Sequence, residues 1–524
     1  MSNNKIVKES DGANEIKGNL SGAKRAQFAL ITTAFAMSIC GISYELLVAT
    51  VSSYFLGNAI LQYSLTIGIY LFAMGVGSYI SRKFEKNLVE SFILLQIVVG
   101  LIGGFSTLFL FAAYQYTPVF SILFYAFLLL LGALLGIEIP ILIRILKDYE
   151  ALKFSISDIL AFDYTGGLLA SILFPLFILP YMGVMHASFF YALLNMVVVF
   201  FNITIFSDTI KQRKMFITSA VIVSLILIGG LIFSTQLVSF FESKLYDDEI
   251  IISKQTKYQK IVVTRYADDM RMYLDGNLQF SSWDEYRYHE CLVHPAMALT
   301  SNRQQVLILG GGDGLAAREI LKYPDVKKVT LVDIDKDIVE LSKTDFLISR
   351  LNKNSLSDPR MNIVIEDAYK FLENSKDRYG VIVVDLPDPN NESLSKLYTV
   401  NFYKMIKHHL ARGGVACIQS TSPYFATETF WCIVHTMEKA GLINHPFHTF
   451  IPSMGDWGFS LVSDYDFNPA EIVIPDIQTK YLKPGKIVDL FYFGKDISEV
   501  KTDVNTLDSH KLLKYYEKEW KKWE

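Results

Sequence analysis

The feature that most constrains this chain is a series of long apolar segments in its first half. A membrane-crossing helix needs about 20 apolar residues to span roughly 30 Å of hydrocarbon. One such segment is compatible with the buried helix of a soluble protein, whereas a series of them is typical of membrane proteins. The sequence therefore predicts an N-terminal α-helical transmembrane bundle over residues 26–240, in a multi-pass protein of the cell membrane with the lipid bilayer as a partner. The seven predicted spans lie at about 27–49, 60–80, 91–114, 118–143, 158–180, 184–206 and 215–235.

The residues before the first span are polar, and 1–25 is predicted to be a disordered tail. A cleavable signal peptide is excluded because the apolar region is too long and is followed by more of the same. Basic residues precede the first span and follow the second, fourth and sixth. With seven spans, this pattern places the second half of the chain outside the cytoplasm. One span more or fewer reverses that assignment, so the orientation stays open.

Three acidic residues interrupt the apolar segments, namely Glu45, Glu138 and Asp163. Carboxylates at such depths are costly, and they usually face the interior of a bundle or a wet cavity. One interpretation is a cation-binding site or path inside the membrane. The other is hydrogen bonding between helices that holds the bundle together.

After Lys244 the composition changes to that of a soluble protein, so the mean hydropathy of +0.29 averages two different halves. The net charge of -4 gives no reason to expect nucleic acid as a partner. The four cysteines show no spacing typical of a metal site, and no metal is expected. Short alternating runs predict a small β-hairpin subdomain at 245–282.

A glycine-rich run, Gly310-Gly311-Gly312-Asp313-Gly314, follows a buried-strand pattern and precedes a helix pattern. A second strand pattern ends on Asp333. Strand, glycine turn, helix, strand and acid form the opening βαβ unit of a Rossmann-like sheet. The glycines let the backbone approach a ligand closely, and the acid can accept both hydroxyls of a ribose. Residues 283–500 are therefore predicted to form a Rossmann-like α/β domain that binds a nucleoside.

Further acids follow the strand patterns of this half. Ligands gather beyond the carboxyl ends of parallel strands, so these acids are expected on one rim. Helix capping explains one or two such residues but hardly five. A crowd of carboxylates repels a phosphate or an amino-acid carboxylate, and it suits a polycationic substrate and a donor without a carboxylate. The five residues are Asp313, Asp333, Asp367, Asp385 and Asp388.

Together these motifs resemble the spermidine synthase (polyamine aminopropyltransferase) family. The resemblance runs from about Tyr258 to Asp496, and it includes the glycine run and the Asp385-Leu386-Pro387-Asp388-Pro389 loop. With its apolar half, the chain resembles the integral-membrane, multi-span type of that family. The resemblance implies an S-adenosylmethionine-methyltransferase-like fold. It also implies transfer of an aminopropyl group from decarboxylated S-adenosylmethionine to putrescine, which gives spermidine and methylthioadenosine.

The resemblance also implies roles for individual residues. Asp385 matches the catalytic base, which accepts the proton of the amine. Trp457 follows the segment where the family has a tyrosine, and it is interpreted either as an aromatic face for an alkylammonium or as a packed anchor. The residues assigned to the donor nucleoside are Gln259, Gly310, Gly312, Asp333, Asp367 and Ala368. Those assigned to the amine and aminopropyl groups are Tyr288, His289, Asp313, Asp388 and Trp457.

A positive sulfonium is a good leaving group, so no metal or resident cofactor is expected, and decarboxylated S-adenosylmethionine is a co-substrate. A homodimer is expected from the resemblance. Residues 501–524 are predicted to form an amphipathic tail that lies at the membrane interface or docks on the synthase domain.

Two other functions stay open from the sequence. One is a membrane-bound S-adenosylmethionine methyltransferase, which Asp313 and the Asp385/Asp388 pair disfavour. The other is a membrane domain that binds or transports polyamines, with the synthase domain as a sensor. The preferred amine is also open, because the residues around Pro387 and Pro452 depart from the family pattern.

Overall fold

A computed structural model describes the backbone of residues 3–56, 59–117, 119–147, 152–242 and 244–523. Side chains are described for the same residues apart from 3–26, 59–60, 152–155 and 242. The chain divides into two compact units, Met1–Asp247 and Asp248–Glu524. The tail expected at 1–25 falls on residues whose side chains are outside this description, and it stays a prediction.

The first unit is a bundle of helices, as expected from segments that are apolar on all faces. A short π-helix, Phe174–Ile178, joins the sixth and seventh helices. The helices are α1 (Asn3–Leu56), α2 (Ala59–Ile80), α3 (Leu88–Gly104), α4 (Ser106–Tyr116), α5 (Phe120–Lys147), α6 (Leu152–Leu173), α7 (Leu179–Ile205), α8 (Arg213–Ile232) and α9 (Ser234–Glu242).

Among the described residues, five helices are long and apolar enough to cross a membrane. The pair α3 and α4, bent by 46° at Phe105, makes six if it is counted as one broken span. The number seven is therefore not confirmed by length and composition. The difference arises in the 50-residue stretch Ile156–Ile205, which contains two of the predicted segments but counts as one helix.

The chain reverses direction within that stretch. Before the reversal, the backbone at Gly166 lies against the carbonyl of Phe35 in α1. After it, the Thr33 hydroxyl donates to Asn202 Oδ1 at 3.1 Å. A straight helix would separate positions 166 and 202 by roughly 54 Å, whereas both lie beside the same turn of α1. Gly183 has non-helical angles there (φ 68°, ψ 173°), which glycine adopts without a steric penalty.

The second unit begins with a four-stranded antiparallel sheet in the order β1-β2-β3-β4. The sequence pattern predicted a hairpin, and the structure has a longer meander of four strands. The strands are β1 (Glu249–Gln255), β2 (Lys260–Tyr266), β3 (Asp269–Leu274) and β4 (Asn277–Ser281).

A seven-stranded sheet in the order β10-β11-β9-β8-β5-β6-β7 forms the centre of this unit. The five strands from β5 to β9 are parallel, and β10 and β11 form an antiparallel edge. The parallel strands read as continuous apolar runs because helices cover both faces. The Rossmann-like prediction is thereby confirmed. The strands are β5 (Gln305–Gly310), β6 (Lys328–Asp333), β7 (Met361–Ile365), β8 (Tyr379–Asp385), β9 (Leu410–Gln419), β10 (Ile443–Ile451) and β11 (Gly455–Ser463).

The strand order places the ligand crevice. From β5 the chain continues to β6 on one side, whereas β8 lies on the other side, so the order reverses between β5 and β8. Ligands of open α/β sheets bind at such a point, beyond the carboxyl ends of the strands. The helices of this unit are α10 (Glu285–Leu299), α11 (Leu315–Ile320), α12 (Lys336–Thr344), α13 (Phe346–Leu351), α14 (Ala368–Asn374), α15 (Glu392–Ser395), α16 (Val400–His409), α17 (Thr427–Lys439) and α18 (Lys511–Trp520).

Helix α18 belongs to the predicted amphipathic tail, and it docks on the second unit. Leu512 and Leu513 are buried, and Leu512 packs with the residues on one face of the large sheet. The apolar side of the helix is thus covered by protein, so the structure has the docked alternative.

Candidate active site

The turn after β5 is held against the end of β8. Gly310 has a φ of +82°, and a Cβ there would lie 2.0 Å from the carbonyl oxygen of Asp385. The N–H of Gly311 donates to the same oxygen at 3.1 Å. The glycine run therefore also fixes the position of Asp385.

Replacement of Gly310 by alanine is expected to damage both stability and turnover. The left-handed backbone costs about 1–3 kcal/mol for a residue with a Cβ, and the clash adds to this. Because the backbone of Asp385 must shift by about 1 Å, kcat should fall about 10- to 100-fold. Gly276→Ala is the matched control, since Gly276 has a φ of +81° but a methyl group added there would meet no atom of the described residues within 4 Å. Equal losses of kcat in the two variants, measured in steady state, would contradict this account.

Asp333 at the end of β6 faces the same turn. Its Oδ2 accepts from the N–H of Gly312 at 3.0 Å, and its Oδ1 accepts from the N–H of Asp335 at 2.8 Å. Burial raises the pKa of Asp333 to about 6. Each carboxylate oxygen keeps a second lone pair, so the side chain is oriented and still able to accept hydroxyl groups.

Gln259 comes to this rim from the loop between β1 and β2. Its Nε2 donates to Asp335 Oδ2 at 3.0 Å, and the hydroxyl of Thr256 donates to the same oxygen at 2.7 Å. The small sheet is thereby tied to the segment that follows Asp333. The role of Gln259 toward a donor stays a prediction.

Asp367 caps the N-terminus of α14, which agrees with the interpretation that one or two strand-end acids are helix caps. Its Oδ1 accepts from the N–H of Tyr369 at 2.8 Å, and Oδ2 pairs with Lys396 Nζ at 2.6 Å. Ala368 is the buried first residue of α14. Both residues lie beyond β7, next to β6, and their contact with a donor remains a prediction.

Two exposed isoleucines at the same rim were missed by the sequence analysis. Ile334 follows Asp333, and Ile365 is the partner of Asp333 in the β6–β7 ladder. Their exposed fractions are 38% and 44%, high for an apolar side chain at the end of a buried strand. Exposed apolar side chains at this end of the strands suit contact with a flat base. The signal in the sequence that could have identified them is an apolar residue directly beside a strand-end acid.

Asp385 lies at the centre of the predicted amine side. Its Oδ1 accepts from the hydroxyl of Tyr288 at 2.8 Å. A carboxylate oxygen of Asp385, a carboxylate oxygen of Asp313 and a ring nitrogen of His289 all lie within 4.8 Å of one another. Burial raises the pKa of Asp385 to about 6; the His289 cation opposes this rise and the Asp313 charge adds to it. Burial likewise raises the pKa of Asp313, whose Oδ1 accepts from the N–H of Leu315.

His289 is a cation at neutral pH. Burial lowers its pKa, but contact with Glu285 outweighs that effect and raises the pKa to about 9. Nδ1 lies 3.0 Å from Glu285 Oε2 and 2.8 Å from the Glu285 carbonyl oxygen. The imidazolium lies with the Asp313 and Asp385 carboxylates, within 4.8 Å from ligand atom to ligand atom.

A buried ion-pair network that the sequence analysis did not identify supports His289. Arg318 of α11 binds Glu285 with two hydrogen bonds of 2.8 Å, and its Nε donates to Glu319 at 2.9 Å. Glu319 also contacts His294 Nε2 at 2.9 Å. The spacing of Glu285 and His289, four residues apart on α10, was the only local signal.

Asp388 is oriented by two residues at and just beyond the end of β9. The hydroxyl of Thr421 donates to its Oδ2 at 2.8 Å, and Gln419 Nε2 lies 3.3 Å from its Oδ1. Thr421 has a φ of +58°, an unfavourable conformation for a β-branched residue that is often stored at functional sites. Burial raises the pKa of Asp388 to about 6. Sequence reasoning missed both donors, because neutral residues this far along the chain carry no motif.

Trp457 lies in β11 behind Tyr288. It is 8% exposed, and its ring centroid is 6.4 Å from that of Tyr288 in an edge-to-face geometry. The indole Nε1 is buried and has no hydrogen-bond partner among the described residues. The packing accounts for its burial, and contact with an alkylammonium stays a prediction.

One acid of the first unit takes part in a contact between helices. Gln96 Nε2 of α3 donates to Glu138 Oε1 of α5 at 2.8 Å. Glu138 and Glu45 are both buried. The Glu138 bond matches the interpretation of hydrogen bonding between helices. A cation site there stays a prediction.

The chain is similar to known proteins in both sequence and structure. The family model described as "Spermine/spermidine synthase domain" matches residues 285–469. A polyamine aminopropyltransferase of Leptospira interrogans is 42% identical over 94% of this chain and 99% of its own length. One of Oceanobacillus iheyensis is also 42% identical, over 93% of this chain and 96% of its own length. Both matches include most of the apolar half. The solved spermidine synthase of Thermotoga maritima is 27% identical, with a TM-score of 0.41 over 46% of this chain and 82% of that chain.

Proposed function

The chain belongs to the spermidine synthase family of polyamine aminopropyltransferases, and we propose that it transfers the aminopropyl group of decarboxylated S-adenosylmethionine to putrescine, forming spermidine and methylthioadenosine. The observation that carries this substrate assignment is the concentration of Asp313, Asp385 and Asp388 on one rim. A dicationic diamine is attracted to such a rim.

The acids also favour a donor that lacks a carboxylate. Asp313 lies half-buried beside Asp385, and His289 is the cation that lies with them. The carboxylate of a complete S-adenosylmethionine, placed here, would add a third negative charge to a pair in which the Asp313 charge already raises the pKa of Asp385. Decarboxylation removes that repulsion and leaves the ammonium group, which the carboxylates attract.

Asp385 accepts the proton in the proposed reaction. The amine loses a proton to the Asp385 carboxylate while its nitrogen attacks the carbon next to sulfur. The carbon–sulfur bond breaks, and its electron pair stays on sulfur, so the sulfonium becomes the neutral thioether of methylthioadenosine. Tyr288 holds the carboxylate in place through the 2.8 Å hydrogen bond. Much of the rate is expected to come from this positioning.

The rate should fall at low pH because Asp385 must be deprotonated to act as the base. Burial raises its pKa to about 6, so kcat/KM should fall as the pH drops through about 6. A primary alkylamine stays cationic over this range, since its pKa resembles that of lysine at about 10.4. Initial rates at limiting putrescine, measured in overlapping buffers from about pH 5 to 8, test this prediction. A flat profile would exclude Asp385 as the titrating base.

The multi-span membrane type is part of the proposal. The length and apolarity of the helices in the first unit support it. Because the chain reverses at Gly183, the stretch Ile156–Ile205 would cross the membrane twice. Counted in this way, with α3 and α4 as one broken span, the unit would cross a membrane seven times at the cell surface. We also propose a membrane domain at 26–240, a synthase domain at 283–500, and a homodimer.

The experiment for the proposed function uses the full chain in detergent or vesicles. It is incubated with decarboxylated S-adenosylmethionine and a panel of diamines, and methylthioadenosine release is measured. Release that depends on an amine supports the proposal. Absence of release with every amine contradicts it, and methyl transfer from complete S-adenosylmethionine would favour the methyltransferase. Amine uptake into vesicles without release would favour the transport function, for which Glu45, Glu138 and Asp163 are the candidate residues.

A further inference from the structure

A groove rich in basic side chains lies at the amino ends of β8 and β9, opposite to the glycine turn. Arg378 directly precedes β8, whereas Asp385 ends that strand. The seven residues of β8 span roughly 20 Å, so the groove is remote from the proposed amine site. It has a volume of about 440 Å³, and its lining includes four cations, Arg378, Lys404, Lys407 and Arg412.

The lining carries an excess of positive charge. Its one acid is Asp464, so four cations and one carboxylate leave a net charge of +3 when His408 is neutral. Among the described residues, none of the four cations pairs with a carboxylate. Arg378 Nη1 donates to the Leu410 carbonyl at 3.3 Å, and Lys407 Nζ donates to another backbone carbonyl. A carbonyl dipole does not neutralise a full charge, and Asp464 compensates for one cation at most.

The backbone that carries these cations is fixed. The imidazole of His409, at the end of α16, is buried, and its Nε2 lies 3.1 Å from the carbonyl oxygen of Ser375 in the segment before β8. The hydroxyl of Thr300 donates at 3.0 Å to the carbonyl of Gly413, which follows Arg412. Separate segments of the chain are therefore held in place around one groove.

Helix polarity explains only part of this arrangement. Lys404, Lys407 and His408 lie on one face of α16, and cations near the C-terminus of a helix are favoured by its dipole. That effect does not extend to Arg378, which precedes β8, or to Arg412, which lies in the irregular start of β9. Because like charges from separate segments repel one another, their convergence favours an anion as the missing partner.

We propose that this groove binds a multiply charged anion that bears phosphate. The planar forks of Arg378 and Arg412 match pairs of phosphate oxygens, and the lysines add point charges. Of the lining residues that the structure describes, Leu410 alone is apolar, and it is 3% exposed. The groove thus has no apolar wall for a base or an acyl chain, and recognition is confined to the charged group. That group belongs either to a free oligophosphate or to the headgroup of an anionic lipid.

The test measures binding of inorganic triphosphate to the full chain in detergent, by calorimetric titration in a buffer without phosphate. Arg412→Gln removes a cation that hydrogen-bonds no described residue, so its melting temperature should stay unchanged. Its Kd should rise about 10-fold, the effect of one hydrogen bond to a charged group. Arg378→Gln should raise Kd in the same way. Arg265→Gln is the matched control and should leave Kd unchanged, because this exposed arginine donates to the Ala267 carbonyl at 2.9 Å outside the groove.

A competition experiment identifies the source of the phosphate. Phosphatidylglycerol or phosphatidylcholine is added to the micelles that hold the chain and its bound triphosphate. Displacement by phosphatidylglycerol alone assigns the groove to a lipid headgroup, and absence of displacement assigns it to a free oligophosphate. Absence of triphosphate binding, equal displacement by the two lipids, or an equal rise of Kd in Arg265→Gln would overturn the inference. The readout is binding and not turnover, so the result does not depend on the proposed function.

Discussion

Replacement of Asp385 by asparagine is expected to lower kcat by about 10²–10⁴-fold, the usual contribution of a general base. An amide of nearly the same shape cannot accept the amine proton. The glycine turn should keep its position, because Gly311 bonds the backbone carbonyl of Asp385 and not its side chain. Binding of methylthioadenosine should therefore stay nearly unchanged. Single-turnover kinetics and a binding titration measure the two quantities separately.

A control for this variant is Asp337→Asn on α12, where an exposed carboxylate pairs with Lys254 at 2.7 Å. Its kcat should equal that of the unmodified protein. Loss of methylthioadenosine binding in Asp385→Asn, in parallel with the loss of turnover, would refute the division between donor and acceptor residues. A variant that keeps most of its kcat would exclude Asp385 as the base.

The largest effect on stability is expected from Glu285→Ala. The change leaves the Arg318 guanidinium buried and without its bidentate partner. Breaking a buried ion pair in this way costs about 3–5 kcal/mol in the free energy of unfolding. It also removes the carboxylate that raises the pKa of His289, while burial, which lowers that pKa, remains. The pKa of His289 should therefore fall, with the Asp313 and Asp385 charges left to raise it.

Denaturant unfolding of the second unit, followed by tryptophan fluorescence, tests this expectation. The matched control is Asp358→Ala, which breaks a bidentate pair with Arg360, at 3.0 Å through both Nε and Nη2, on a partly exposed surface. Its cost should be within about 1 kcal/mol because solvent screens such pairs. If both variants lost a similar free energy of unfolding, burial would not be the reason for the stabilising effect of the Glu285–Arg318 pair.

The donor side of the site was largely predictable from the sequence. Gly310, Gly312 and Asp333 lie together because a βαβ unit with parallel strands brings the strand ends to one edge. The same rule placed Asp385 and Asp388 on that edge. The order of strands along the chain is sufficient for such predictions, because each of these residues directly follows a strand and its position is set by the end of that strand.

The acceptor side was less predictable, for a physical reason. Thr421 and Gln419 contact Asp388 from a distant part of the sequence, and the packing of that part leaves no periodic pattern. The membrane half shows a related limit. Apolarity predicted the segments, but the reversal at Gly183 depends on how both arms pack on α1. The sequence allowed helix capping for one or two strand-end acids without naming them, and the structure has this role at Asp367.

The first turn of α17 is capped by a distant carboxylate, because the two oxygens of Glu519 accept from the N–H groups of Glu428 and Thr429 at 2.9 and 3.0 Å. This cap has a consequence for the order of synthesis. Glu519 follows Glu428 by about ninety positions, which a ribosome adding 5–20 residues per second needs roughly 5–18 s to produce. A nascent chain that has completed α17 therefore contains two N–H groups of its first turn without their acceptor. The same chain already holds the glycine turn and Asp333. The nucleoside side of the crevice is thus present in the growing polypeptide well before α17 receives its cap.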